Sequence, residues 1–87
     1  MEAAGHLEVV TELLGRLGVT VRYEHLGGGG GLCVVRGCKI VFIDLDSDIA
    51  TRLERSLEAL AACPELETLY VPPAIRELTD SGQEHNG

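Results

Sequence analysis

Apolar residues recur at spacings of three and four through Leu7, Val10, Leu14 and Leu17, with Val9 and Leu13 widening the stripe. That period predicts an amphipathic helix over 6–17, ended by Gly18 as a C-terminal cap. The period then falls to two. Val19, Val21 and Tyr23 alternate with Thr20, Arg22 and Glu24, so 19–25 predicts a strand with one wet face. Gly27, Gly28, Gly29, Gly30 and Gly31 follow, a connection expected to be mobile and without a conformation of its own.

Residues 32–43 form the most apolar and most β-branched run of the chain, interrupted only at Arg36-Gly37. Val, Ile and Phe favour a pleated, half-buried surface, and glycine adopts the positive backbone angle that tight hairpin turns require. Two antiparallel strands are predicted, over about 31–35 and 38–44. A two-residue turn pairs Val35 with Cys38, and a bulged turn pairs Val34 with Cys38. The choice between them moves every side chain of one strand to the other face. In both registers both faces stay mostly apolar, with Lys39 the only charge in 38–43. An antiparallel sheet with one wet face normally alternates apolar with polar, so both sides of this hairpin call for a cover.

A second helix is predicted over about 47–62, burying Ile49, Leu53, Leu57 and Leu60 and wetting Arg52, Glu54, Arg55 and Glu58. Asp46 or Ser47 is placed to cap it, Asp48 complements its positive start, and Pro64 ends it. Thr68–Val71 has the composition of a short fourth strand, Pro72-Pro73 opens a short helix through Leu78, and 81–87 reads as a disordered tail. The resulting fold class is α+β: a three-stranded antiparallel sheet flanked by two amphipathic helices, in the order α-β-β-β-α, with a short C-terminal strand or helix. All of it belongs to one small domain over 1–80.

Charge narrows the partners. Fourteen acids against seven basic residues give a net charge of −7, and phosphate backbones need a basic stripe, so nucleic acid is not an expected partner. No apolar run approaches the ~20 residues of a membrane span, and the opening Met-Glu-Ala-Ala-Gly-His lacks signal-peptide character. A cytoplasmic location is therefore expected, with Cys33, Cys38 and Cys63 as reduced thiols.

Candidate chemistry is sparse. The glycine run leads into a strand rather than a helix and lacks a following Lys-Ser or Lys-Thr pair, so it does not fit a phosphate loop. Counted from Asp44, a calcium loop would need Gly and Glu where Ile49 and Arg55 stand. The three cysteines with His6 and His25 reach zinc only in number, since Cys33 and Cys38 have four residues between them and no second close pair follows. No metal, cofactor or small-molecule ligand is expected.

The stretch Ile40-Val-Phe-Ile-Asp44-Leu-Asp46-Ser-Asp48 resembles the first motif of haloacid-dehalogenase-like phosphatases, an apolar strand ending in D-x-D. The resemblance implies a nucleophile at Asp44 and an acid/base at Asp46, beside a magnesium ion. That family also uses a later basic residue, whereas the only lysine here, Lys39, lies upstream. The succession helix, strand, loop, hairpin, helix is similar to the N-terminal part of ImmA/IrrE-type zinc metallopeptidases. Their H-E-x-x-H would fall on Leu57-Glu58-Ala59-Leu60-Ala61, which keeps the glutamate and lacks both histidines. Pro73-Ala-Ile-Arg-Glu77 is similar to a pattern near the end of short bacterial proteins of unassigned function, a resemblance that implies no activity.

Two function classes follow. The leading one is a non-enzymatic interaction module, without catalytic residues, that self-associates or docks on a larger protein. The other is a small metal-dependent hydrolase using Asp44, Asp46 and Asp48. For the first, the expected interface is the second sheet face, through three or four of Leu32, Val34, Val41 and Ile43 or their neighbours in the alternative register, most simply in a homodimer. Segment 69–78, through Tyr70, Val71, Ile75 and Leu78, is the alternative cover within one chain.

Overall fold

The computed structural model describes residues 2–84, with side chains through Asp80. Three α-helices, α1 (Ala3–Arg16), α2 (Ile49–Ala61) and α3 (Pro73–Glu84), accompany three strands, β1 (Thr20–Glu24), β2 (Gly31–Val35) and β3 (Cys38–Asp44). The α+β class stands, but the sheet is mixed rather than antiparallel. Its order is β1-β3-β2, with β3 in the centre, antiparallel to β2 and parallel to β1.

The glycine segment accounts for that difference. Instead of turning tightly to place β2 beside β1, it carries the chain across the width of one strand, and the hairpin return then fills the gap with β3. β1 and β3 consequently run the same way, in register from Thr20 opposite Ile40 to Glu24 opposite Asp44. The hairpin takes the two-residue turn, with Val35 opposite Cys38. Arg36 and Gly37 both have positive φ, 53° and 79°, as a type I′ turn demands and as the twist of the flanking strands favours.

α1 starts three residues earlier than its apolar stripe suggests. It ends in a Schellman arrangement, with Gly18 N–H donating to Gly15 O and Val19 N–H to Leu14 O, both at about 3.0–3.1 Å. α2 is capped by Asp48, whose carboxylate accepts from Thr51 N–H at 2.8 Å, rather than by Asp46 or Ser47. The segment predicted as a fourth strand is no strand. A 3₁₀ helix over Pro64–Thr68 leads into an extended link and then α3. Pro72 and Pro73 deny that link two ladder N–H groups, and Pro73 sits in α3's first turn. α3 continues beyond Leu78, so 81–84, expected in a disordered tail, is helical, and 85–87 lies outside the described residues.

One core joins these pieces. Val10, Leu13 and Leu14 of α1, Leu53, Ala59 and Leu60 of α2, Val41 and Ile43 of β3, and Val71 and Ile75 from the C-terminal segment bury together. Full burial of each large aliphatic side chain stabilises by ~1.5–3 kcal/mol, which lets a chain of this size fold without a Trp. α1 and α2 pack on each other and on one face of the sheet. α3 packs on α2 and α1, with no strand contact among the described residues. The intramolecular cover of the second sheet face by 69–78 is thus not what the fold builds. Val71 and Ile75 instead seal the helical side.

Candidate functional site

Two neighbourhoods hold the residues that the sequence singles out. At the C-terminal end of β3 lies Asp44, 2% exposed despite its charge. It is buried because the start of the glycine segment folds over it. One carboxylate oxygen accepts from Leu26 N–H and Asp46 N–H, each at 2.9 Å, and the other accepts from Gly28 N–H and, at 3.1 Å, from the Ser47 hydroxyl. Burial pushes this carboxyl upward, but the N–H groups of Leu26, Asp46 and Gly28 and the Ser47 hydroxyl outweigh it and hold the pKa at about 2. Asp46 continues the latch. Its carboxylate meets His25 Nδ1 at 2.8 Å and accepts from Gly27 N–H at 2.9 Å, and the His25 contact leads the lowering of its pKa.

The D-x-D pair therefore clamps 25–28 onto the end of β3, and the glycine segment, expected to be free, is pinned over its first half. Gly30 is held by shape. A Cβ there would sit 2.8 Å from the Phe42 carbonyl oxygen, so only glycine fits this crossing. Beside the latch is a shallow depression lined by Gly28, Gly30, Asp44, Ser47, Arg52 and Arg55. Its Arg52 and Asp44 side chains are already engaged. Arg52 donates to Ser47 O and Leu45 O, at 2.9 and 3.0 Å, and Asp44 is occupied by the loop. Asp48 points away into its capping role, so the three aspartates do not converge on one centre.

The sulfur and histidine candidates are also separated. Cys63 is buried, within 3.4 Å of Ala59 O, and burial raises its pKa. Cys33 and Cys38 are exposed on the hairpin, opposite Ile40 and Val35 respectively, as diagonal neighbours on one face. Glu58 is exposed and pairs loosely with Arg55. Among the described residues no group of three or more His, Cys, Asp or Glu side chains is placed to hold a metal ion.

The second neighbourhood is the hairpin's uncovered side. Leu32, Val34, Val41 and Ile43 do share a face, but it is the one turned to the helices. Val41 and Ile43 are fully buried and Leu32 packs on the core. Of the four expected interface residues only Val34 is open, at 63% exposure, next to the hairpin turn. The open face instead carries Cys33 and Val35 of β2, Cys38, Ile40 and Phe42 of β3, and Thr20, Arg22 and Glu24 of β1. A signal for this was present in β1. Its polar residues must face water, and its in-register pairing with β3 puts Ile40 beside Thr20 and Phe42 beside Arg22. The pairing itself, a long-range contact, is what a local pattern does not contain.

No family model, curated protein or solved structure matches the chain, so kinship adds nothing to this geometry.

Proposed function

We infer that the protein is a non-enzymatic interaction module that associates through the open side of its β2–β3 hairpin, most simply with a second copy of itself. The observation that carries this reading is the apolar surface left there. Cys33, Val35 and Cys38 are exposed there, with Ile40 and Phe42 half-buried between them, on the face opposite the buried Val41 and Ile43. Val35 is 49% exposed there. Burial is worth ~25 cal/mol per Å², and small domains gain much from closing such a surface. A hydrolase reading finds less support, because the carboxylate that would act as nucleophile already accepts four hydrogen bonds from its own chain.

Light scattering across roughly 5–500 µM tests the reading, a range in which modest protein contacts saturate. The mass should rise from 9.3 kDa toward twice that value. A mass that stays monomeric at the highest concentration overturns it.

A further inference from the structure

We propose that β2 is a pairing edge: two copies join β2 to β2, antiparallel, about a two-fold axis through Cys33, making one six-stranded sheet in the order β1-β3-β2-β2-β3-β1. This rests on the self-association proposed above and goes beyond it: the contact runs along the β2 edge, beside the open face rather than across it.

Three observations converge on that geometry. The first is the edge itself. Gly31–Val35 contains no charge and no proline, the devices by which natural sheets keep their edges from pairing. The opposite edge, β1, is guarded by Arg22 and Glu24, 3.2 Å apart.

The second is charge placement. Every one of the fourteen acids lies outside 25–43, and that stretch holds only Arg36 and Lys39 as fixed charges. Two copies of a chain with net charge −7 can therefore meet along β2 without an acid on either pairing strand, and Glu65, which reaches Lys39 beside Val34 at 3.8 Å, is partnered there by that lysine. This favours a second copy over a strongly charged partner.

The third is parity. In a two-residue hairpin the closing pair, Val35 with Cys38, exchanges both backbone hydrogen bonds, and the pattern alternates from there. Gly31, Cys33 and Val35 thus bond inward to β3, and Leu32 and Val34 direct their N–H and C=O groups off the free edge. A second strand must match outward residues with outward residues, so a two-fold axis must pass through a residue. With the axis at Leu32 or Val34 only three residues of each strand overlap. With the axis at Cys33 all five do, and Leu32 pairs with the partner's Val34 and Val34 with the partner's Leu32, satisfying all the outward groups of both. Cys33 then faces the partner's Cys33 in a non-hydrogen-bonded pair, with Cα atoms about 4.5 Å apart, inside the range that a disulfide spans.

Oxidative crosslinking provides the test. Diamide accepts two electrons and two protons while two Cys33 thiols join as a disulfide. The Cys38→Ser protein should give a covalent dimer on non-reducing electrophoresis, and Cys33→Ser, which keeps Cys38, should not. Val34→Pro removes an N–H that points off the edge and leaves the β2–β3 ladder intact. It should stay folded by circular dichroism, remain monomeric in light scattering, and lower the crosslink yield at least about tenfold. Should the proline variant fail to fold, Val34→Lys replaces it, because a charge on the edge blocks pairing without touching the backbone. A wild-type dimer that persists in a folded Val34 variant, or that crosslinks through Cys38, overturns the edge assignment and leaves self-association standing. A wild type that never dimerises overturns both.

Discussion

β1 and β2 flank the same central strand, yet one edge is closed by chemistry and the other is open. β1 alternates cleanly, places Arg22 and Glu24 on the open face, and feeds directly into the 25–28 segment that Asp44 and Asp46 hold down. β2 has no charge, and its connection to β3 is a turn of two residues. The two strands are equally long, so length does not distinguish them. What differs is whether side chains on the edge keep water in place. On the proposed reading, a sheet this small directs association by leaving a single strand unguarded, with no groove or pocket involved.

The most damaging way to break the comparison is to remove the strand on which both edges lean. Val41→Asp puts a carboxylate at a fully buried position, where an uncompensated charge costs about 3–5 kcal/mol, a large part of a small domain's stability. Circular dichroism should show the variant largely unfolded at 25 °C. Phe42→Asp, one residue away on the open face, should remain folded.

Loosening only the β1 side comes next. In Asp44→Asn one oxygen that accepts becomes an amide that donates, so it opposes the N–H groups it once received. A fall in melting temperature of about 5–10 °C is expected, with β2 and its turn unaffected in amide exchange. The wild type also gains stability from Asp44 ionisation, because the folded pKa of about 2 lies below the ordinary 3.8. That contribution is complete above pH 3.8 and is lost as pH falls through 2. Unfolding midpoints followed from pH 5 to pH 2 should therefore fall less steeply in Asp44→Asn than in the wild type.

A smaller effect sharpens the β2 side. Arg36 holds a positive φ that non-glycine residues adopt at a cost, and asparagine tolerates it better. Arg36→Asn should raise stability by about 0.5–1 kcal/mol in urea unfolding while leaving β1 unchanged. The smallest expected effect is none at all. EDTA with reductant should leave the melting temperature within about 1 °C, since the cysteines are unpaired and the described residues bring no set of ligands together.

Much of this molecule was legible along the chain because the deciding interactions are local. The apolar period located α1 and α2, alternation located β1, and the Arg36-Gly37 interruption located both hairpin strands to the residue. The C-terminal part was legible only up to the two prolines. The aspartates stand out in sequence as an acidic cluster at a strand end, but their partners do not. Asp48 caps α2, whereas Asp44 and Asp46 bind backbone N–H groups sixteen to nineteen residues upstream. Spacing within 44–48 carries no trace of that contact.

What the amino-acid order determined by itself was the set of elements, the apolar surplus of the hairpin and the absence of acids from 25–43. Periods of 3.6 and 2 are properties of neighbouring residues, so they survive without any knowledge of the fold. Which side of the hairpin is covered was decided only in three dimensions. Val41 with Ile43 and Ile40 with Phe42 are equally apolar, and either pair would satisfy a core. The parallel pairing of β1 with β3 broke the tie by forcing Arg22 and Ile40 onto one face, and that pairing depends on a glycine segment held in place by two aspartates far from it in sequence.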